Sequence, residues 1–202
     1  MTDLVRITRS IDAPMVEAAY REGVFPMNEP YHGVITWHRP VKRAIIPLDR
    51  FHVSRSLARR MRKADYAVTW DRDFEGVMRA CADRGEDEET WISEDFIRVY
   101  GEMHRQGKAH SVEVWMDGAL VGGTYGVALG RAFFAESKFH RTADMSKVAL
   151  ASLAARLRAD GFQLLEVQYK TSHLAQFGCI EVPGREYQRL LKAALGEPSA
   201  LH

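Results

Sequence analysis

Cysteine is nearly absent from this chain of 202 residues: Cys81 and Cys179 are the only two, and no CxxC pair occurs. That excludes a disulfide-stapled secreted scaffold and a zinc ribbon, and it fits a reduced compartment. Long apolar runs are lacking too. No stretch approaches the ~20 apolar residues of a membrane span, and the opening MTDLVRITRSIDAPM has scattered charges and no apolar signal region. A soluble, cytoplasmic protein with no membrane partner is expected. Nor does one sign of charge prevail: the formal net charge is +1, so any nucleic-acid signal must be local. No GxSxG elbow, HExxH or Walker A motif is present. The eight histidines are dispersed, and lone histidines are more often structural than ligating, so no metal site is expected. What is present is enough hydrophobic residue, 46% of the chain, for a sizeable core.

The segment GVFPMNEPYHGVITWHRP carries Pro26, Pro30, Pro40, Gly23 and Gly33, and reads as loop and irregular structure. HVSRSLARRMRKADY reads as a helix capped by Ser54, YAVTW as a short strand, and DRDFEGVMRACADRG as an amphipathic helix with Phe74, Val77, Met78 and Cys81 on one face. An acidic loop, EDEE at 86–89, precedes a further helix that Ser93 begins and that stops near Gly107. The second half then gives three strand-like runs with turns at MDG and ALG. A helix follows, capped by Thr142 or Asp144 and ended by Gly161. After it come a buried strand in FQLLEVQY and a final helix in REYQRLLKAAL. A meander followed by a crossover helix and a further strand is an α+β core with a mixed, mostly antiparallel sheet and flanking helices. It resembles the acyl-CoA N-acyltransferase (GNAT) core. The expected division is a smaller N-terminal subdomain over 1–90 and a GNAT-like core over 91–202, the two sharing one compact unit as the alternative.

Four groups of residues stand out against their structural readings. In SRSLARRMRKA, Arg55, Arg59, Arg60, Arg62 and Lys63 occur with no acid between them, and Arg55, Arg59, Arg62 and Lys63 share one helix face opposite Leu57, Met61 and Ala64. A solvated face is an equal explanation, but a single-sign stripe on a near-neutral protein also suits a phosphate backbone. GEDEET is a solvated loop or an electrostatic lure for a cationic substrate. In LLEVQYKTSH, Glu166 and Gln168 alternate with Leu165 and Val167, which on a strand puts the polar pair on one face near its end. That pair either hydrogen-bonds for structure or orients a proton. In RAFFAESKFHR, alternation would place Phe134, Glu136 and Lys138 on one face and Phe133, Ala135, Ser137 and Phe139 on the other. Before the crossover helix a CoA-dependent enzyme needs a glycine-rich pyrophosphate turn; here the position reads HRTADMS, which disfavours acetyl-CoA as donor.

The ordered stretches AYREGVFP, HVSRSLARR, YAVTWDRDFEGVMRACA, TWI, GKAHSVEVW, LVGGTYGVALGRAFFAES, SKVAL, LLEVQ and HLAQFGCIEVPGREY, from Ala19 to Tyr187, carry a specific resemblance. The chain resembles the bacterial leucyl/phenylalanyl-tRNA–protein transferases. The resemblance implies transfer of an amino acid, leucine or phenylalanine first, from charged tRNA to the N-terminal amine of a protein beginning with Arg or Lys, which marks it for degradation. It implies no metal or other cofactor. The partners it implies are the acceptor stem and 3′ end of aminoacyl-tRNA and the acceptor's N-terminus, with the enzyme a monomer. Arg55, Arg59, Arg60, Arg62 and Lys63 would then grip tRNA phosphates. Glu136 would hold the aminoacyl end near its α-amino group, Gln168 would assist deprotonation of the attacking amine, and Glu166, where the family usually has Asp, would polarise it. Phe133, Ser137 and Trp91 would line the substrate site. Reaction is aminolysis of an activated ester, in which orientation does much of the work.

The sequence departs from the family at three substrate positions: GVFPM, GGTYG and ESKF replace GIFPW, GGMYG and ESMF. Met27 thus stands for Trp, and Thr124 and Lys138 for Met. A pairing of Lys138 with Glu136 is expected, since a buried lysine is costly alone. The GGDLSP-like motif of the family is not found, so a truncated N-terminal subdomain is implied. A changed donor, a non-protein acceptor or a catalytically silent tRNA-binding relative are the competing readings, with a CoA-dependent acetyltransferase behind them.

Overall fold

In the computed structural model, which describes residues 3–29, 31–63, 65–83, 85 and 90–196, the stretch rich in proline and glycine is not irregular. After β1 (Leu4–Thr8) and α1 (Ala13–Arg21), β2 (Phe25–Glu29) and β3 (Val34–His38) form an antiparallel hairpin, and the sheet runs in the order β1-β3-β2. The expectation of loop here is corrected by position. β2 is an edge strand, where Pro26 need not donate to a ladder, and Gly33 takes φ +57° between the strands. α1 starts where Asp12 accepts the Met15 N–H at 2.8 Å. The acidic run at 86–89 and Ala64 lie outside the described residues.

The chain continues through β4 (Lys42–Ile45), α2 (Arg55–Arg62), β5 (Ala67–Trp70), α3 (Phe74–Ala82), α4 (Glu94–Arg105), β6 (Ala109–Met116), β7 (Ala119–Leu129), β8 (Ala132–His140), α5 (Met145–Ala159), β9 (Leu164–Glu166), α6 (Ser172–Ala175), β10 (Ile180–Pro183) and α7 (Gly184–Leu195). Seven strands make one sheet in the order β10-β4-β9-β8-β7-β6-β5, antiparallel except where β9 runs parallel to β8 after the α5 crossover. The fold is the expected mixed, mostly antiparallel α+β core. Strands from both sides of residue 90 share the sheet. The turn Asp117-Gly118, both at positive φ, is the twisted hairpin turn that MDG announced. At the start of α5, Asp144 sits at the cap position with φ +69°, but its carboxylate pairs with Lys147 at 2.8 Å rather than capping the helix. Among the described residues no helix is long and apolar enough to cross a membrane.

Two hydrophobic layers sandwich this sheet. One joins Val77, Met78, Phe96 and Tyr100 of α3 and α4 to Tyr125, Val127 and Phe134. The other joins Met145, Val148, Leu150 and Leu153 of α5 to Val112, Val114 and Phe133. Close approach of both helices to β7 explains its glycines. A Cβ on Gly122 would lie 2.5 Å from Met145 Cβ on one face, and one on Gly123 would lie 3.2 Å from Val77 on the other.

β7 and β8 slip by one residue in mid-ladder. Tyr125 pairs with Ser137 and Gly126 with Ala135, which leaves Glu136 opposite no residue. Such a bulge reverses the facing of everything beyond it. Lys138 lies opposite Thr124 and Phe134 opposite Val127, on opposite faces, so the expected shared face of Phe134, Glu136 and Lys138 is corrected. Gly126 holds the bulge closed: a Cβ there would lie 2.2 Å from the Phe134 carbonyl oxygen and 2.5 Å from the Phe133 ring. Gly126→Ala is expected to destabilise the fold by about 1–3 kcal/mol through overpacking, seen as a lower midpoint of urea unfolding. An unchanged midpoint would mean that the bulge yields freely.

Candidate active site

Gln168 leaves the strand geometry that alternation assigned to it. β9 ends at Glu166, and Gln168 has φ +55°, a left-handed conformation that costs a non-glycine residue about 1–2 kcal/mol. Three hydrogen bonds hold it there: its N–H donates to Glu166 Oε1 at 2.6 Å, its carbonyl accepts from the Ala44 N–H at 3.1 Å, and its Nε2 donates to Glu136 Oε1 at 2.9 Å. Strand alternation therefore does not govern the polar pair of LLEVQ, because Gln168 lies beyond the end of the strand. Glu166 is fully buried and lines no cavity with Gln168; it reaches Gln168 only through the backbone.

The bulge delivers Glu136 to the same point. Desolvation pushes its carboxyl up to about 8, although hydrogen bonds from Tyr20 and Gln168 and the charge of Arg43 work the other way. Behind it the Tyr20 and Tyr100 hydroxyls lie 2.7 Å apart, both buried and both well above the ordinary phenol range because of burial. A partly ionised carboxylate next to an amide side chain is able to accept a proton near neutral pH and to orient an amine.

Glu136 and Gln168 together line two cavities. One, of about 140 Å³, has walls of Phe25, Pro26, Met27, Trp91 and Tyr169. The other, of about 40 Å³, has walls of Thr124, Ser137, Lys138, Leu150, Val167 and Leu174. The three substituted positions therefore divide: Met27 belongs to the aromatic cavity, and Thr124 and Lys138 to the smaller one. Phe133 lines neither; it is buried in the α5 layer beside Phe162. The Glu136 carboxylate is met by Gln168 and Tyr20, and Lys138 lies across the ladder from Thr124. His173 stands close enough to Lys138, Lys147 and His140 that, after burial, their charges lower its pKa, so the rim of the smaller cavity is basic.

On α2, Ser54 caps the helix as expected by accepting the Leu57 N–H at 3.2 Å. Arg55, Arg59, Arg62 and Lys63 are exposed on it, whereas Arg60 turns inward to Asp65, to the Tyr66 ring and to the sulfurs of Met116 and Met145. Sequence reasoning missed Phe25 and Tyr169 as walls, and Tyr20 and Arg43 behind the site. Residues Phe25 and Arg43 sit on strands that the glycines and prolines concealed. Tyr20 had a signal, as an aromatic within AYREGVFP. Among the described residues no group of three or more His, Cys, Asp or Glu side chains is placed to hold a metal ion.

A family model described as leucyl/phenylalanyl-tRNA protein transferase matches residues 45–192. A protein of Herpetosiphon aurantiacus named leucyl/phenylalanyl-tRNA–protein transferase is 48% identical over 190 residues, covering 94% of this chain and 97% of that protein. One of the same name from Cereibacter sphaeroides is 54% identical over 178 residues, covering 88% and 82%. The solved structure of FemX aligns with a TM-score of 0.53 at 11% identity, covering 71% of this chain and 60% of that one, a likeness of fold alone.

Proposed function

The chain belongs to the leucyl/phenylalanyl-tRNA–protein transferase family, and on that premise we propose that it moves an aminoacyl group from charged tRNA to the N-terminal amine of a protein, acting as a monomer in the cytoplasm. The observation that carries this reading is the meeting of two cavities at the Glu136–Gln168 hydrogen bond. Seating an aminoacyl-tRNA needs such a place, with its terminal base on one side of the junction and its amino-acid side chain on the other.

The aromatic cavity suits the terminal base of the tRNA. Phe25, Trp91 and Tyr169 offer rings for stacking, the usual means of holding an unpaired nucleotide. Met27 narrows the platform there. The smaller cavity takes the donor side chain between Leu150, Val167 and Leu174. At about 40 Å³ it falls short of the ~150 Å³ that holds a benzene ring. Either side chain therefore requires Lys138 to swing aside, leucyl less than phenylalanyl. The acceptor is a protein beginning with Arg or Lys, and the product is a degradation signal.

The amine nitrogen attacks the ester carbonyl, the C–N bond forms, and the ester C–O bond breaks, releasing the ribose hydroxyl. Glu136 takes the amine proton and the departing ribose oxygen receives one. Gln168 cannot serve as a base alone; held by Glu136 and Glu166, it fixes the position of the amine. Glu166 acts through Gln168 only. On α2, Arg55, Arg59, Arg62 and Lys63 hold acceptor-stem phosphates, while Arg60 anchors the helix. In this reading the stretch before residue 90 supplies the tRNA-binding helix and the stretch after it the catalytic strands.

The test uses tRNA charged with each labelled amino acid in turn and a peptide beginning with Arg. Leucine is expected on the peptide. Gln168→Ala should slow transfer about 10²-fold, the cost of a small misplacement, with tRNA affinity nearly unchanged. Absence of transfer from every charged tRNA would overturn the proposal.

A further inference from the structure

Behind Gln168 stands a buried arginine that the sequence reading did not use. Arg43, on β4, is 1% exposed and Glu166 is 0% exposed. The guanidinium Nε donates to Glu166 Oε1 at 3.1 Å and Nη2 is ion-paired with that oxygen at 2.9 Å, the same oxygen that accepts the Gln168 N–H at 2.6 Å. Its Nη1 donates to the Gly23 carbonyl at 2.6 Å and its Nη2 to the Tyr187 hydroxyl at 3.3 Å. The Phe25 and Tyr187 rings flank it at 5.1 and 4.4 Å. Gly23, at φ +73°, directs its carbonyl inward, and a Cβ there would lie 2.8 Å from the Tyr187 ring.

A buried ion pair of this kind is poor value for stability alone, because desolvating two charges offsets most of their attraction. What this one secures is geometry. Gln168 sits in a conformation that must be imposed on it, and Glu166 is one of the groups imposing it. Glu166 in turn lies in a pocket where only a fixed cation keeps its oxygen aimed at the Gln168 N–H.

We propose that Arg43 is a positioning residue for transfer: through Glu166 it holds Gln168 in its left-handed conformation, with the side-chain amide aimed at Glu136 and the cavity junction. This rests on the reading of Gln168 given above. Neighbouring Ala44 contributes to the same end by pairing with the Gln168 and Val167 backbone. Lysine at position 43 would keep the charge but lose the fork that meets Glu166, Gly23 and Tyr187 together.

The experiment compares wild type, Arg43→Lys and Arg43→Met. Thermal melting establishes the folded fraction, and steady-state transfer of leucine from charged tRNA is measured across pH. Arg43→Lys is expected to lose about 10-fold or more in kcat, with KM for charged tRNA within about 2-fold, as misplacement of a reacting group demands. Arg43→Met should lose more, and its kcat should acquire an added pH dependence. Without the guanidinium, burial keeps Glu166 protonated, and a protonated carboxyl holds the Gln168 N–H less well. The backbone amide resonance of Gln168 provides a readout independent of activity and should move upfield in both variants. If Arg43→Met does not fold, Arg43→Lys carries the test. A folded variant with wild-type kcat, pH profile and Gln168 resonance would overturn the proposal. Wild type inactive with every charged tRNA would overturn the functional reading instead, and the amide resonance would still decide whether Arg43 fixes Gln168.

Discussion

Glu136→Gln is expected to lower kcat by about 10²–10⁴-fold, the range lost with a general base, while tRNA affinity stays within about 2-fold. The substitution keeps the shape at the junction of the two cavities and removes only the ability to accept a proton. The pH dependence separates this from misplacement. Desolvation holds the Glu136 carboxyl at about 8, so its basic form accumulates as pH rises, and the acceptor amine deprotonates in the same range, near 7.7–8.0. The logarithm of kcat/KM for wild type should therefore climb with a slope approaching ~2 well below both values, and the variant's with ~1. Equal slopes would remove Glu136 from the proton transfer. Stability moves the opposite way. A carboxyl whose folded pKa is raised contributes stability below its unfolded value of 4.5, and that contribution is lost as pH rises towards about 8. Glutamine does not ionise, so Glu136→Gln should melt higher than wild type at pH 8.5, with the gap closing on acidification. Activity lost and stability gained in one substitution is the signature of a strained functional group.

Arg55→Ala with Arg59→Ala is expected to weaken binding of charged tRNA by about 10- to 100-fold at low salt and to reduce the slope of log Kd against log salt by roughly 1 for each arginine removed. Both guanidiniums are exposed on α2. Their loss should leave the fold intact, since Leu57 provides the buried contact of the helix. The turnover of saturated enzyme should be unaffected. Arg60→Ala should behave differently, with little change in salt slope and a lower melting temperature, because Arg60 is committed to Asp65 and the Tyr66 ring. A double variant with an unchanged slope would show that the stripe is only a solvated face.

The core from β6 to α5 was legible because clear turn signals bound its strands and Gly161 ends its long apolar helix. The capped α2 and the stripe upon it were legible for the same reason. β2 and β3 were not, because Pro26 and the flanking glycines are the ordinary marks of loop, and only the edge position of β2 makes proline harmless there. The site was legible in its members and not in its arrangement. Glu136, Gln168 and Glu166 were all picked out, yet alternation misplaced Lys138, which the bulge turns to the other face, and Gln168, which leaves the strand. A bulge and a positive φ both arise from contacts with distant residues, Gly126 and Phe133 in one case and Arg43 and Glu136 in the other. No periodicity within a single strand carries that information. Arg43 itself was invisible for a related reason: a lone arginine beside Lys42 gives no sign that it is buried.

The slip between β7 and β8 works like a change of reading frame in the two-sided alternation of a strand. On one side of Glu136 the strand is written for α3 and α4, with Phe134 inward. Beyond it, Lys138 and Thr124 face each other across the ladder on the α5 side. Removing a single residue here would exchange the two sides at once. It would turn Lys138 towards Val77 and turn Phe139 towards α5, so a change of length at this point costs far more than a substitution. Substitution is another matter. Positions 124 and 138 are direct cross-strand neighbours, and side chains so placed are felt by one another. The smaller cavity can thus be rewritten by exchanging this pair together, leaving the aromatic cavity and the Glu136–Gln168 junction untouched.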